Sequence, residues 1–488
     1  MQYCKSEAES IAMNRRDFLK NSFLGSLAAT PLVKIIAAAS GSSKAQSDLA
    51  ALHDSTAYDV AVFGAGVSGI CAALQCARLG KRTLLVEKGV LPGGAITLNR
   101  IELPAIFAVK GKQIIRGIGW DLISKTYQAM QQSLPDLATL DHTRHWEAYV
   151  PVNGLLFAAV AEEELLKASC DILYFTMPSK LKLSDDCWQI ELCSKDSVSS
   201  CSAKNIIDCT GDADIVKLAG FACEAPEVCQ PGTLSVKVSG FDASKLDYKA
   251  MGRNLAAAFE RGEAVPSDFS FSYPDKLPPD VGLPKIFTHF FNRCGMNANH
   301  ITFGSPDRPG SRSALEIAAR KSMLRAWRFL RKQTGLENLQ FELASSECGV
   351  RESRRIVAEY NISENDYYSG KSYPDAVCYS YYPIDLHDDA AGLIVKPLPD
   401  GVLPQIPRGS LIPQGSRRLL AAGRIIGSDR MANSALRIQA TCMATGQAAG
   451  VLAALSDQYH GNISNIPMEK VRQILQEHGA IVPQNSLQ

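Results

Sequence analysis

The chain has 488 residues, a formal net charge of +1 and 46% hydrophobic residues. That length predicts roughly two or three domains with a sizeable core. The balanced charge argues against a nucleic-acid partner, which would call for a basic face. Past the N-terminal region no run of ~18 apolar residues occurs, so no stable membrane span is expected once a leader is removed. The 14 cysteines are scattered without a CxxC pair, and no Cys/His spacing suggests a metal site. Cys71 and Cys76 fall on the apolar side of a predicted helix, while Cys223 and Cys229 are the best-placed disulfide pair.

Taken in order, the chain opens on a leader. Arg15 and Arg16 are followed by an apolar stretch from Phe23 to Val33 and small residues Ala37–Ala39. A basic region, an apolar region and a small-residue cleavage site make a signal peptide over 1–40, and the arginine pair makes it a twin-arginine one. Residues 41–57, rich in Ser and Ala, read as a flexible linker. The expectation is a periplasmic protein, exported after folding with its cofactor already inserted. Folding under reducing conditions weakens any disulfide argument from the cysteine count.

Tyr58–Phe63 reads as an apolar strand, followed by Gly64-Ala-Gly66-Val67-Ser68-Gly69, a helix closed by Gly80, and a second strand ending at Glu87 and Lys88. Gly64 permits the tight turn, Gly66 lets backbone approach a pyrophosphate, and Gly69 lets helix pack on strand. The helix N-terminus offers its amides and positive dipole end to phosphates. Glu87, 18 positions after Gly69, is placed to bind ribose hydroxyls. An acid there argues against NADP.

Three later stretches favour FAD. "LPGGAIT", with Gly93, Gly94 and Thr97, would bring a second glycine turn to an extended dinucleotide. Helices are expected at Trp120–Ser133 and over "GLLFAAVAEEELLKAS", then a strand "DILYFTMP" whose backbone near Met177 contacts adenine. "AKNIIDCTGDADI" reads as a strand ending at Thr210-Gly211-Asp212. A late strand reaches Gly423-Arg424, and a small-residue helix from Ala435 to Leu455 follows. Its start, around Ala435, Leu436 and Arg437, would face the flavin, where charge grows on reduction.

With "PGTLSVKVSG", "CGVRESRRIVAEYNIS", "IPRGSLIP" and "LLAAGRIIG", these motifs resemble a generic family of FAD-dependent oxidoreductases. The resemblance runs from Tyr58 to Leu455. It implies bound FAD, redox activity and an α/β fold: a Rossmann-like FAD/NAD(P)-binding domain of glutathione-reductase type with an inserted α+β substrate domain. The FAD-binding parts would be 58–215 and 411–460, the substrate domain 216–410, and the tail 461–488, with a short helix over "MEKVRQILQEHG". The resemblance names no substrate.

Flavin chemistry asks the protein for orientation and a base. Arg351, Arg354 and Arg355 would share one face if helical, suiting a carboxylate, a phosphate or a polar substrate, and Arg351 is a site candidate. His300 and His387 are the candidate bases, ahead of His289, while His142 and His145 have no metal partner at useful spacing. Tyr381 and Tyr382 read as packing residues. The leading reading is hydride transfer between a sugar, alcohol or hydroxy acid and flavin N5, with a separate electron acceptor. A reductase of an unsaturated or organic acid and an FAD-binding protein without turnover are the alternatives.

Overall fold

The computed structural model describes residues 56–140, 148–269, 283–292, 295, 299–343, 345–388 and 392–484. The expected leader and nearly all of the linker lie outside these residues, as do His142 and His145.

Strand β1 (Thr56–Phe63) is buried from Val60 onward. A continuous apolar run rather than alternation is what a strand covered on both faces requires. Helix α1 (Val67–Arg78) follows, then β2 (Thr83–Val86), buried at all four residues and parallel to β1. Helices α2 (Ile118–Ala129) and α3 (Gly154–Lys167) precede β3 (Asp171–Leu173), which extends the parallel sheet beyond β2. The single strand expected over "DILYFTMP" is two. Phe175, at φ +52°, turns the chain out of the parallel sheet into the antiparallel pair β4 (Thr176–Ser184) and β5 (Cys187–Ser194).

Strand β6 (Val198–Asp208) serves two neighbours on one side. Its first half pairs antiparallel with β5, and Ile206–Asp208 pairs parallel with β15 (Leu419–Ala421). Its other edge pairs with β1. A strand from the last seventy residues thus completes the sheet begun by the first motif. Buried Asp208 ends β6 and accepts the Ile215 and Val216 amides, capping the short helix α4 (Asp214–Leu218).

Between β6 and β15 the chain forms small antiparallel pairs. They include β7 (Cys223–Glu224) with β12 (Arg355–Ile356), β8 (Val228–Gly232) with β10 (Ile301–Gly304), β9 (Val236–Ser239) with β11 (Gln340–Leu343), and β13 (Ile384–Asp388) with β14 (Gly392–Lys396). Helices α5 (Tyr248–Glu260), α6 (Leu283–Asn292) and α7 (Ser311–Leu330) accompany them. Leu255, Phe269, Phe287, Phe290, Phe329 and Leu330 form a core of their own here.

Three expectations are corrected. The arginine-rich segment is not a helix: Arg355 lies in a strand, because it pairs with Glu224 of β7 in register. Cys223 and Cys229 are free thiols donating to Phe221 and Gly304 carbonyls, on strands with different partners. The helix expected from Ala435 to Leu455 breaks. Helix α8 (Arg430–Leu436) stops at Arg437, Ile438 is extended, and α9 (Gln439–Ser456) restarts after a 92° bend. The short tail helix appears as α10 (Met468–Glu477).

Helix α9 is buried along its length against α1. Gly446 and Gly450, four positions apart, make this possible: a Cβ on Gly446 would run into the Ser68 carbonyl, and one on Gly450 would lie 2.6 Å from the Ala72 oxygen. No single helix among the described residues is long and apolar enough to cross a membrane.

Candidate functional site

The first glycine turn is built to leave space in one direction. Gly64 sits at φ +93°, and a Cβ there would lie 2.5 Å from the Cys209 carbonyl oxygen. Gly69 packs its α-carbon on the Gly64 carbonyl. A Cβ on Gly66, by contrast, would meet nothing within 4 Å. Gly66 is the N-cap of α1 and provides no side-chain cap, so the helix opens its amides toward that space. Val67 and Ser68 are buried, and the Ser68 hydroxyl faces Gly423. Their offer to a ligand is therefore backbone N–H.

Glu87 closes the cradle at the end of β2. Its two carboxylate oxygens accept the Ala65 and Gly89 amides, each at 2.7 Å. Each oxygen keeps lone-pair capacity for a hydroxyl. The second glycine turn folds onto the first: the Gly93 amide donates to the Ala65 carbonyl at 2.8 Å, a Cβ on Gly94 would lie 3.0 Å from Gly66, and the Thr97 hydroxyl donates to Pro92 O. Amides of Phe175 and Thr176 donate to Gly89 and Glu87 carbonyls, which sets the backbone next to Met177 beside the acid. The side chains of Met177 and Lys88 remain largely exposed, Lys88 lying 3.8 Å from Glu347.

Thr210, Gly211 and Asp212 form the turn after β6, alongside Gly64. Arg424, beyond β15, donates to the Gly211 and Val350 carbonyls and to Asp212 at 2.8 Å. Burial alone would raise the Asp212 pKa, but Arg424 and Arg312 overcome it and hold the carboxyl ionised well below the usual range. Arg424 thus joins two turns of the cradle. Ala435 and Leu436, expected near the flavin, are fully buried in the last turn of α8.

A second group of side chains gathers at the Thr97 end of the cradle. The Leu98 carbonyl accepts the Ser346 amide, a Cβ on Gly349 would rest 3.4 Å from Asn99, and Gly349 pairs with Thr233. Arg351 donates to the Pro231 carbonyl at 2.6 Å and the Thr233 hydroxyl at 3.0 Å. Arg437, next to the start of α9, donates to Gln230 Oε1 at 3.1 Å and to the Asp385 carbonyl at 2.9 Å. Gln230 Oε1 also accepts the His387 amide. The rings of His300 and His387 stack, and His387 Nε2 lies 3.6 Å from Asp385 Oδ1.

Four expected residues, His300, His387, Arg351 and Arg437, are therefore brought together from four separate stretches. Arg354 is drawn away to Asp307 and Asp214, and Arg355 to Glu352 and Glu224. Burial lowers the Arg351 pKa to about 9, with Arg437 adding like-charge repulsion. Burial and Arg351 likewise push His387 down to about 4, against the pull of Asp385. Both arginines keep some accessible surface. Gln230 and Asp385 escape sequence reasoning, since isolated polar residues in short strands carry no periodic signal. Tyr382, read as packing, lies near both arginines. Among the described residues no cluster suits a metal ion.

Comparison with solved structures gives distant likenesses. The chain is 12% identical to OxyS anhydrotetracycline hydroxylase from Streptomyces rimosus, covering 87% of this chain and 66% of that one, with a TM-score of 0.35. It is 14% identical to CabE, an aromatic hydroxylase from angucycline biosynthesis, with coverage of 88% and 76% and a TM-score of 0.36. A geranylgeranyl bacteriochlorophyll reductase-like protein from Thermoplasma acidophilum gives 12%, 86%, 84% and 0.37. No curated protein matches. The model of FAD dependent oxidoreductases matches residues 59–475, which take in both glycine turns, Glu87, the Arg424 clamp and the histidine pair. With a cradle that fits a dinucleotide and a match over most of its length, the chain belongs to the FAD-dependent oxidoreductase family.

Proposed function

We propose that this FAD-dependent oxidoreductase transfers a hydride between a polar small molecule (a sugar, alcohol or hydroxy acid) and the flavin N5. The observation that carries the reading is the stacked pair His300–His387 beside Arg351 and Arg437, at the end of the cradle next to α9. FAD, when bound, supplies the two-electron acceptor of the reaction. The chain's own residues supply the rest. His387 is held neutral near pH 7 and accepts a hydroxyl proton. Asp385 stabilises the imidazolium that results. Arg351 and Arg437 orient polar substrate groups, and burial of the cluster excludes water.

The guanidinium pair also favours a second reading, a reductase of an unsaturated or organic acid, in which the same residues work in reverse. A separate electron partner is required in both directions. The split pairing of β6 and the return of β15 support a glutathione-reductase type of FAD domain with 216–410 inserted as the substrate domain. The leader sequence supports export to the periplasm by the twin-arginine route.

The test is the visible absorption spectrum of the purified mature chain, repeated on the supernatant after acid precipitation. A released flavin spectrum is expected, followed by anaerobic bleaching with a hydroxylated substrate. Reoxidation of chemically reduced enzyme by an unsaturated acid, without such bleaching, would favour the second reading. A flavin that no compound bleaches or reoxidises would leave an FAD-binding protein without turnover.

A further inference from the structure

We infer that the outer face of α7 docks on the surface of an anionic lipid bilayer. The inference is independent of the chemistry at the histidine pair. Over Arg308–Lys332 the sequence has eight Lys and Arg residues against one acid, Glu316, although the chain as a whole balances 51 against 50. The excess of positive charge is therefore local, and α7 provides most of this stretch.

The helix has two distinct sides. Leu315, Ala319, Ser322, Ala326, Phe329 and Leu330 are buried and seat it on the protein. Ile317, Lys321, Leu324 and Arg328 are exposed. At 3.6 residues per turn, steps of three and four keep these four on one side, away from the buried set, and Ile317 and Leu324 line up about 10 Å apart along the axis. Ile317 is 51% exposed and Leu324 46%. A helix that packed only on its own core would carry polar residues at both positions.

The cations beside them differ from those turned inward. Arg312 is taken by Asp212 at 3.5 Å, and Arg325 by buried Asp268 at 2.7 Å. Arg320 pairs within the helix with Glu316 at 3.1 Å. Lys321 and Arg328 form no ion pair among the described residues. Half-buried Trp327 flanks the strip, with the Arg331 guanidinium 5.5 Å from its ring centroid. Cations meet lipid phosphates, aliphatic groups reach below them, and a Trp–Arg pair suits the headgroup level. A protein partner would need a groove to receive this convex ridge, and the strip has no aromatic anchor at its centre of the kind protein interfaces use. A fluid headgroup layer yields to the ridge. Such a helix lies on a bilayer and does not span it.

The probe is a phosphatidylcholine vesicle with about 30% phosphatidylglycerol, set against vesicles of phosphatidylcholine alone and against soluble polyglutamate. Binding of the FAD-loaded mature protein is read by co-sedimentation. Saturable binding to the anionic vesicles is expected, with release at about 0.5 M salt. Lys321→Gln with Arg328→Gln should weaken it about 30-fold. Ile317→Ser with Leu324→Ser should weaken it at least about 10-fold. Flavin content and melting temperature should be unchanged in both variants, since all four side chains are exposed. Equal binding to the neutral vesicles overturns the inference, as does wild-type binding in both variants. Binding of polyglutamate without binding of vesicles also overturns it, and would make the face a site for an acidic protein.

Discussion

The imidazoles of His300 and His387 lie face to face, their centroids 5.1 Å apart and their planes inclined by 24°. One ring precedes β10 and the other sits in β13. Burial, with Arg351 adjacent, disfavours a proton on His387.

That neutrality sets a pH dependence. The folded His387 titrates near 4 instead of 6.5. Between those values the unfolded chain binds a proton that the folded chain refuses, so stability is full above about pH 6.5 and is lost as pH falls through about 4. The full shift corresponds to about 3 kcal/mol. Asp208 has the opposite sign: burial raises its pKa to about 6, so its contribution is lost as pH rises from 3.8 through that value. Comparing wild type with His387→Gln isolates the histidine. Urea unfolding should show the variant gaining on wild type by up to about 3 kcal/mol from pH 6.5 to pH 4. A difference that does not change with pH would contradict this.

Gly66 and Gly446 should separate cofactor binding from folding. At Gly66 (φ −67°, ψ 176°) an alanine meets open space, so Gly66→Ala should leave apoprotein melting unchanged while reducing bound FAD several-fold. At Gly446 a methyl group would run into Ser68 backbone. Gly446→Ala should cost about 1–3 kcal/mol through overpacking and lower the melting temperature of the apoprotein itself. Melting curves with and without FAD distinguish the two.

Glu87→Ala removes the acceptor of two amide bonds in the cradle. Leaving the Ala65 and Gly89 donors without it should cost about 1–3 kcal/mol and weaken FAD retention on gel filtration at least 10-fold. The ratio of flavin to protein absorbance in the eluted peak reports the result.

The proposed export can be tested on residues 1–40. Arg15→Lys with Arg16→Lys should leave the protein in the cytoplasm with its leader attached, and cell fractionation reads the outcome.

Much of the cradle was legible because its chemistry is local. Gly64, Gly66, Gly69 and Glu87 follow from one strand, one helix start and the next strand end, and the turn at Gly93-Gly94 follows soon after. In the arginine segment an ion pair to nearby Glu352 was legible, but spacing alone cannot show that Glu224, Asp307 and Asp214 claim Arg354 and Arg355 from distant elements. The break after Arg437 was hidden as well: Gln230 and Asp385, which hold its guanidinium, lie far away in sequence. The seating of α9 on α1 did leave a sign, two glycines four apart in a run of small residues.

The order in which the nucleotide domain is assembled has a bearing on biogenesis. The glycine turn Gly64–Gly69 leaves the ribosome early, yet β15 and α9 arrive with the last seventy residues. Until they dock, β6 lacks its parallel neighbour at Ile206–Asp208 and α1 lacks the helix that packs on Ser68 and Ala72. A chain truncated before Gln439 would keep both glycine turns and Glu87 but lose the helix that packs on α1, and its FAD retention should fall with it.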